Sequence, residues 1–305
     1  TWDMPTYLAL GVVIMAYTII RWAKLPDSFL PRLSARIKPW IVAAGTVALL
    51  GFLSFVLYQP YTQWYAPGYS SVELWKGSHT PFWSYITHWG LFFFFIISWF
   101  TWETRDWMAK TPISSLRKLL PYRGVIFILL GAALLVITYL LYKEVSIAWF
   151  TIPLGIWAGI LILRPGQSDL KRFVLFCTGT ALMLTLAVEL IVLKGDIGRM
   201  NTVFKFYLQA WSLFSLSAAA SMFWIIDAVR KEWHPAWKNT WLAAGIILLA
   251  CAALFPIMGG SGKIRDRIAE DAPHTLDGMR YMDYAFYFDK ETNFDLSQDY
   301  VAIKW

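Results

Sequence analysis

Seventeen residues, "GDIGRMNTVFKFYLQAW" at 195–211, place Asp196, Arg199, Asn201, Lys205 and Gln209 between two long apolar runs. Each such group near hydrocarbon needs a partner, water or a ligand. If helix begins at Met200, then Asn201, Lys205 and Gln209 follow at i, i+4, i+8 and share one face. Phe204, Leu208 and Trp211 fall on other sides, suited to packing or lipid. Gly195 and Gly198 supply the turn, Asn201 is a candidate cap, and the free N–H groups of a helix start favour an anion. Glu189, about one turn inside the preceding run, is within reach of either cation. Two readings stay open. One is an ion-pair cluster that glues two helices, Glu189 to Lys205 and Asp196 to Arg199. The other is a polar substrate-binding site made of Glu189, Asp196, Arg199, Asn201, Lys205 and Gln209 for an anionic ligand. Structural pairing does not need an Asn and a Gln along the same stripe, which favours the site.

The elements that position these residues must be membrane helices. The chain has 305 residues, of which 58% are hydrophobic and only 15% charged, against roughly a quarter charged in soluble domains. Eight apolar stretches, near 5–22, 40–58, 86–102, 124–142, 147–163, 173–193, 206–226 and 240–258, lack the alternation of barrel strands. The expected fold is all-α, a polytopic bundle of about eight transmembrane helices over residues 1–258. Residues 259–305 then begin an external soluble region, and "GGSG" at 259–262 reads as a turn before Lys263, Arg265 and Arg267. Sixteen Lys and Arg fall in one alternating set of loops and five in the other, a cytoplasmic bias that puts both chain ends, loop 59–85 and loop 194–205 outside. The net charge of +7 is therefore a topology signal, and nucleic-acid binding is excluded as a reading. The inner loops look like plain anchors.

Other residues carry weaker signals. Cys177 and Cys251 are isolated in apolar runs and read as small packed hydrophobes. His79 and His88 lack a carboxylate at metal spacing and read as interfacial hydrogen-bonding groups. No metal ligand set is visible, so a divalent metal has no assigned site and the cofactor stays unknown. The aromatic-rich loop 59–85 suits either an interfacial belt or platforms for sugar rings.

Three stretches, "TWDMPTYLAL", "GDIGRMNTVFKFYLQAW" and "TLDGMRYM" with "DYVAIKW", together resemble the YYY-type (Chlor_Arch_YYY) family of polytopic membrane proteins of unknown function. Members of that family are predicted relatives of GT-C glycosyltransferases. The resemblance implies a GT-C-like bundle that is an internal fragment of a longer plasma-membrane protein. It implies a polyprenyl-phosphate-linked sugar as donor, used on the external face, with the catalytic acids upstream of Thr1. The family's triple-tyrosine motif has no match here; "YAPGY" at 65–69 is the nearest by composition. By the same resemblance Arg199 and Lys205 hold the donor phosphate, and Asn201 and Gln209 hydrogen-bond phosphate or sugar. The rival expectations are a transporter or lipid-headgroup flippase, and a membrane scaffold whose aromatic "YMDYAFYF" binds a partner.

Overall fold

The computed structural model describes residues 3–26, 28–65, 71–268, 274–289 and 291–305, so most of "YAPGY" lies outside the described residues. The chain divides into two compact units, Thr1–Glu232 and Trp233–Trp305.

The first unit is helical because its apolar runs leave backbone groups no partner but their own chain in hydrocarbon. It contains α1 (Asp3–Trp22), α2 (Lys38–Trp64), α3 (Phe82–Lys110), α4 (Arg123–Tyr142), α5 (Ala148–Ile162), α6 (Asp169–Leu190) and α7 (Met200–Glu232). A short 3-10 helix, Ile113–Tyr122, precedes α4. The core is built by α3, α5, α6 and α7, where α6 packs between α5 and α7, and α3 packs on α7. Trp89, Ile96, Trp99 and Phe100 of α3, Leu175 and Ala181 of α6, and Ala210, Phe214 and Ile225 of α7 are at full or near-full burial, with the Trp89 and Phe214 ring centres 5.2 Å apart. By contrast α4 buries only Leu140 and leaves its leucines, isoleucines and phenylalanines outward, as a lipid-facing helix does.

Seven helices of the described chain are long and apolar enough to cross a membrane, and the fold is an all-α polytopic bundle as the composition requires. The expected fifth span forms too, as α5, but its 15 residues reach only about 22 Å, short of a hydrocarbon layer of about 30 Å. The expected seventh span, 206–226, is longer at both ends. Its helix α7 begins at Met200 and runs to Glu232, so the polar residues 201–209 are helical from the start.

One non-helical device matters for the site. Strand β1 (Val72–Leu74), from the connection between α2 and α3, pairs antiparallel with β2 (Ile191–Leu193), which directly follows α6. The register is Val72 to Leu193, Glu73 to Val192 and Leu74 to Ile191. Further backbone bonds, Trp75 N–H to Leu190 O (2.9 Å) and Lys194 N–H to Ser71 O (2.9 Å), extend the ladder. Residues 71–80 thus form a strap tied to the α6–α7 connection.

The second unit holds α8 (Pro235–Leu254), α9 (Gly260–Arg267), a hairpin of β3 (Phe286–Asp289) and β4 (Thr292–Asp295), and α10 (Ser297–Lys304). The expected turn at "GGSG" is instead helical: a π-helical turn, Phe255–Gly259, joins α8 to α9. Continuing the helix keeps those backbone groups bonded, which outweighs the glycines' preference for loops. Cys177 is buried as expected, whereas Cys251 is exposed; neither is in a disulfide.

Candidate functional site

The turn "GDIG" sets the start of α7. Gly195 and Gly198 adopt φ of 87° and 61°, a region where side chains with a Cβ are strained. Their turn aims Asp196 back at the helix it precedes. One Asp196 carboxylate oxygen accepts from the Asn201 backbone N–H (3.2 Å) and side-chain amide (3.0 Å). The other accepts from the Thr202 N–H (2.8 Å) and hydroxyl (2.7 Å). Two of the unpaired N–H groups at the helix start are satisfied in this way. Burial pushes the Asp196 carboxyl up, but the donors of Thr202 and Asn201 outweigh it and hold it below the usual carboxylate range. The Thr202 hydroxyl also accepts from Leu193 N–H (3.0 Å), locking β2 to the cap. Asp196 is therefore the cap, and Asn201 is one of the groups capped.

Glu189, 1% exposed on the last turn of α6, is the centre of a second cluster. Its carboxylate accepts from the Thr80 backbone N–H (2.9 Å) and hydroxyl, lies 3.2 Å from His79 Nδ1, and pairs with Arg199 at 2.8 Å. Arg199 also donates to Val188 O (2.9 Å) and Thr80 Oγ1 (3.0 Å), and its guanidinium lies 5.4 Å from the ring centre of Trp75. Ser146, in the α4–α5 link, donates to Thr80 O at 2.9 Å, so the strap is held from two sides. A buried carboxylate survives without water only when paired and hydrogen-bonded in this way.

The six expected site residues therefore fall into three groups. Glu189 and Arg199 join, Arg199 being one of the two cations expected within its reach. Asp196 and Asn201 join in the cap, where the glue reading paired Asp196 with Arg199. Lys205 is half-buried along α7, and Gln209 is 1% exposed on the packed stripe of α7, donating to Lys205 O at 3.3 Å. Trp75 and Thr80 were missed, and His79, expected to hydrogen-bond, does so with Glu189. His79 was expected at the interface, and its neighbour Thr80 carries no local signal; only their 110- and 109-residue separations from Glu189, closed by the fold, bring them in.

A third cluster, at the opposite end of the same four core helices, was also missed. Glu103, 4% exposed, accepts from Arg164 (2.7 Å), Lys171 and the Trp99 indole N–H (3.1 Å). Arg164 bridges on to Asp106 at 2.9 Å, and Asp106 pairs with Lys110 at 2.7 Å. The available signal was "WETRDW", two carboxylates at i, i+3 ending an apolar run, which a loop read only for its Lys and Arg does not reveal. Among the described residues no three His, Cys, Asp or Glu side chains gather as a metal site.

Residues 1–214 match a family described as uncharacterized membrane protein (DUF2298). The chain belongs to this family. The matched region takes in the strap, the cap and the Glu189 cluster, and ends within α7. No curated protein and no solved structure matches the chain.

Proposed function

We propose that the end of the bundle where α6 meets α7 receives the anionic headgroup of a lipid-linked sugar phosphate. On this reading the protein is an integral-membrane glycosyltransferase of the plasma membrane that uses a polyprenyl-phosphate donor at its external face. Both chain ends and residues 259–305 would lie on that side. The similarity to the YYY-type proteins and their GT-C relatives supplies the reaction type. The loop bias in Lys and Arg supports the orientation.

The observation that carries the site is the way the fold fixes Arg199. Its guanidinium is held by Glu189, Val188 O and Thr80 against Trp75, while its side chain keeps 15% of its surface exposed. From Glu189 to Gln209 there are three cations, Lys194, Arg199 and Lys205, and two carboxylates, so the segment stays net positive. Positioned cations of this kind stabilise the charge that grows on a leaving phosphate as the acceptor oxygen bonds to the anomeric carbon and the sugar–phosphate bond breaks. A carboxylate elsewhere in the protein would take the acceptor's hydroxyl proton. Lys205 and Asn201 would meet the headgroup. Gln209, buried, would brace the turn that carries Lys205 and contribute no direct contact.

The burial of Glu189 favours a second reading, in which its pair with Arg199 is a structural clasp for the strap. Transfer from a labelled polyprenyl-phosphate sugar by reconstituted protein separates the two. The phosphate reading expects Lys205→Gln to lower transfer strongly while leaving thermal unfolding in place; wild-type transfer by Lys205→Gln and Arg199→Ala would remove it. Solute uptake into proteoliposomes without transfer would support a transporter instead.

A further inference from the structure

α1, α5 and α6 border an open hollow of about 500 Å3 on the first unit. Tyr17 of α1 donates to Asp169 at the start of α6 (2.6 Å) and pins the two helices at one end. Farther along, α1 stands off, and the hollow opens between Val13 on α1, Gly155 and Gly159 on α5, and Phe176, Gly179 and Met183 on α6. A Cβ added to any of these three glycines would meet nothing within 4 Å. Two hydroxyls line the hollow, and that of Thr180 is spent on Phe176 O at 2.9 Å; with Thr6 the other polar side chain in an otherwise apolar lining, it offers water little to bond.

This hollow is separate from the polar site. On α6, Phe176, Gly179, Thr180 and Met183 line it, while Thr178, Leu182, Thr185 and Glu189 follow the same three-and-four spacing on the buried face toward the core. From Phe176 to Glu189 the helix turns through thirteen residues, which leaves the two stripes roughly 140° apart.

Size decides the occupant. A helix with its side chains is about 10–12 Å across, so the hollow would hold only about one turn of one. Gly155 and Gly159 have the spacing of a close helix–helix contact, but they face a space whose far wall is already α1. α1 and α6 are long and apolar enough to cross a membrane, Val13 and Met183 at the rim are exposed, and the volume falls in the range of small-ligand pockets. We propose that the hollow holds one acyl chain of a bilayer phospholipid.

The test is photolabelling of the reconstituted chain in vesicles of phosphatidylcholine bearing a diazirine on one acyl chain, with labelled peptides mapped by mass spectrometry. The expected result is several-fold more label on the α6 segment 176–183 than on α4, although Phe127 and Leu135 of α4 are more exposed. Gly179→Leu and, separately, Val13→Phe fill the hollow and bring the α6 label down to the α4 level with thermal unfolding preserved. Should Gly179→Leu fail to fold, Val13→Phe alone decides. Equal labelling of α6 and α4 in the wild type overturns the proposal. So does cross-linking that places a second copy's helix over Met183, or label that enters only from an isoprenoid probe.

Discussion

Glu103 and Glu189 occupy opposite ends of the same four core helices, each buried and each paired with an arginine. Their remaining partners differ. Around Glu103 the donors are Arg164, Lys171 and Trp99, all side chains on helices or just past their ends, and Asp106 extends the network. Around Glu189 one cation is joined by a backbone N–H and a hydroxyl from the strap, with His79 beside them. The first cluster rivets helix to helix. The second uses a buried charge to fasten a non-helical segment, the arrangement needed where a chain must leave the helix ladder and still find bonds for its backbone.

The comparison can be broken by removing either carboxylate. Glu103→Ala leaves Arg164 and Lys171 without their shared counter-charge, and a loss of about 3–5 kcal/mol is expected, read as a lowered unfolding temperature in detergent. Glu189→Ala removes an ion-pair partner from one cation instead of two, and although Arg164 keeps Asp106 in the other cluster, a smaller loss of about 3 kcal/mol is expected. Equal losses would mean that the strap's donors matter as much as the second cation. Glu189→Gln sharpens the contrast: hydrogen exchange at Trp75 and Lys194, whose N–H groups close the strap ladder, should speed up while the core of α3 stays protected. Unchanged exchange there would deny Glu189 its fastening role.

Smaller effects belong to the cap. Asp196→Ala removes the acceptor of two helix N–H groups and should cost about 1 kcal/mol. The folded Asp196 carboxyl lies below its unfolded value of about 3.9, so its stabilisation is complete above that pH and fades as pH falls through the lowered value. Wild type and Asp196→Ala should therefore differ at neutral pH and converge in strong acid, as followed by thermal unfolding across pH; a constant gap would rule out the carboxylate as the cause. Smallest of all, Lys205→Gln should change stability by less than about 0.5 kcal/mol, since a half-buried surface position carries little packing. A large loss would move Lys205 from the headgroup site into the structural clasp.

The parts of this protein that could be read in its residues are those set by local chemistry. Long apolar runs in "FILLGAALLVITYLLY" dictate helix, because hydrocarbon leaves a backbone no other bonding partner. Two glycines around Asp196 dictate a turn that the residues after Met200 must follow with a helix. Partner choice was not readable. Glu189 precedes two candidate cations, Arg199 and Lys205, and only the packing of α6 against α7 gives it Arg199. Only the β1–β2 pairing brings Thr80 and His79 across more than a hundred residues. Gln209 shares a face with Lys205 by periodicity, yet the neighbouring helices decide that one is enclosed and the other half-open. Local spacing determines which side chains lie together on one element; which of them loses its water is settled by the elements that arrive from elsewhere in the chain.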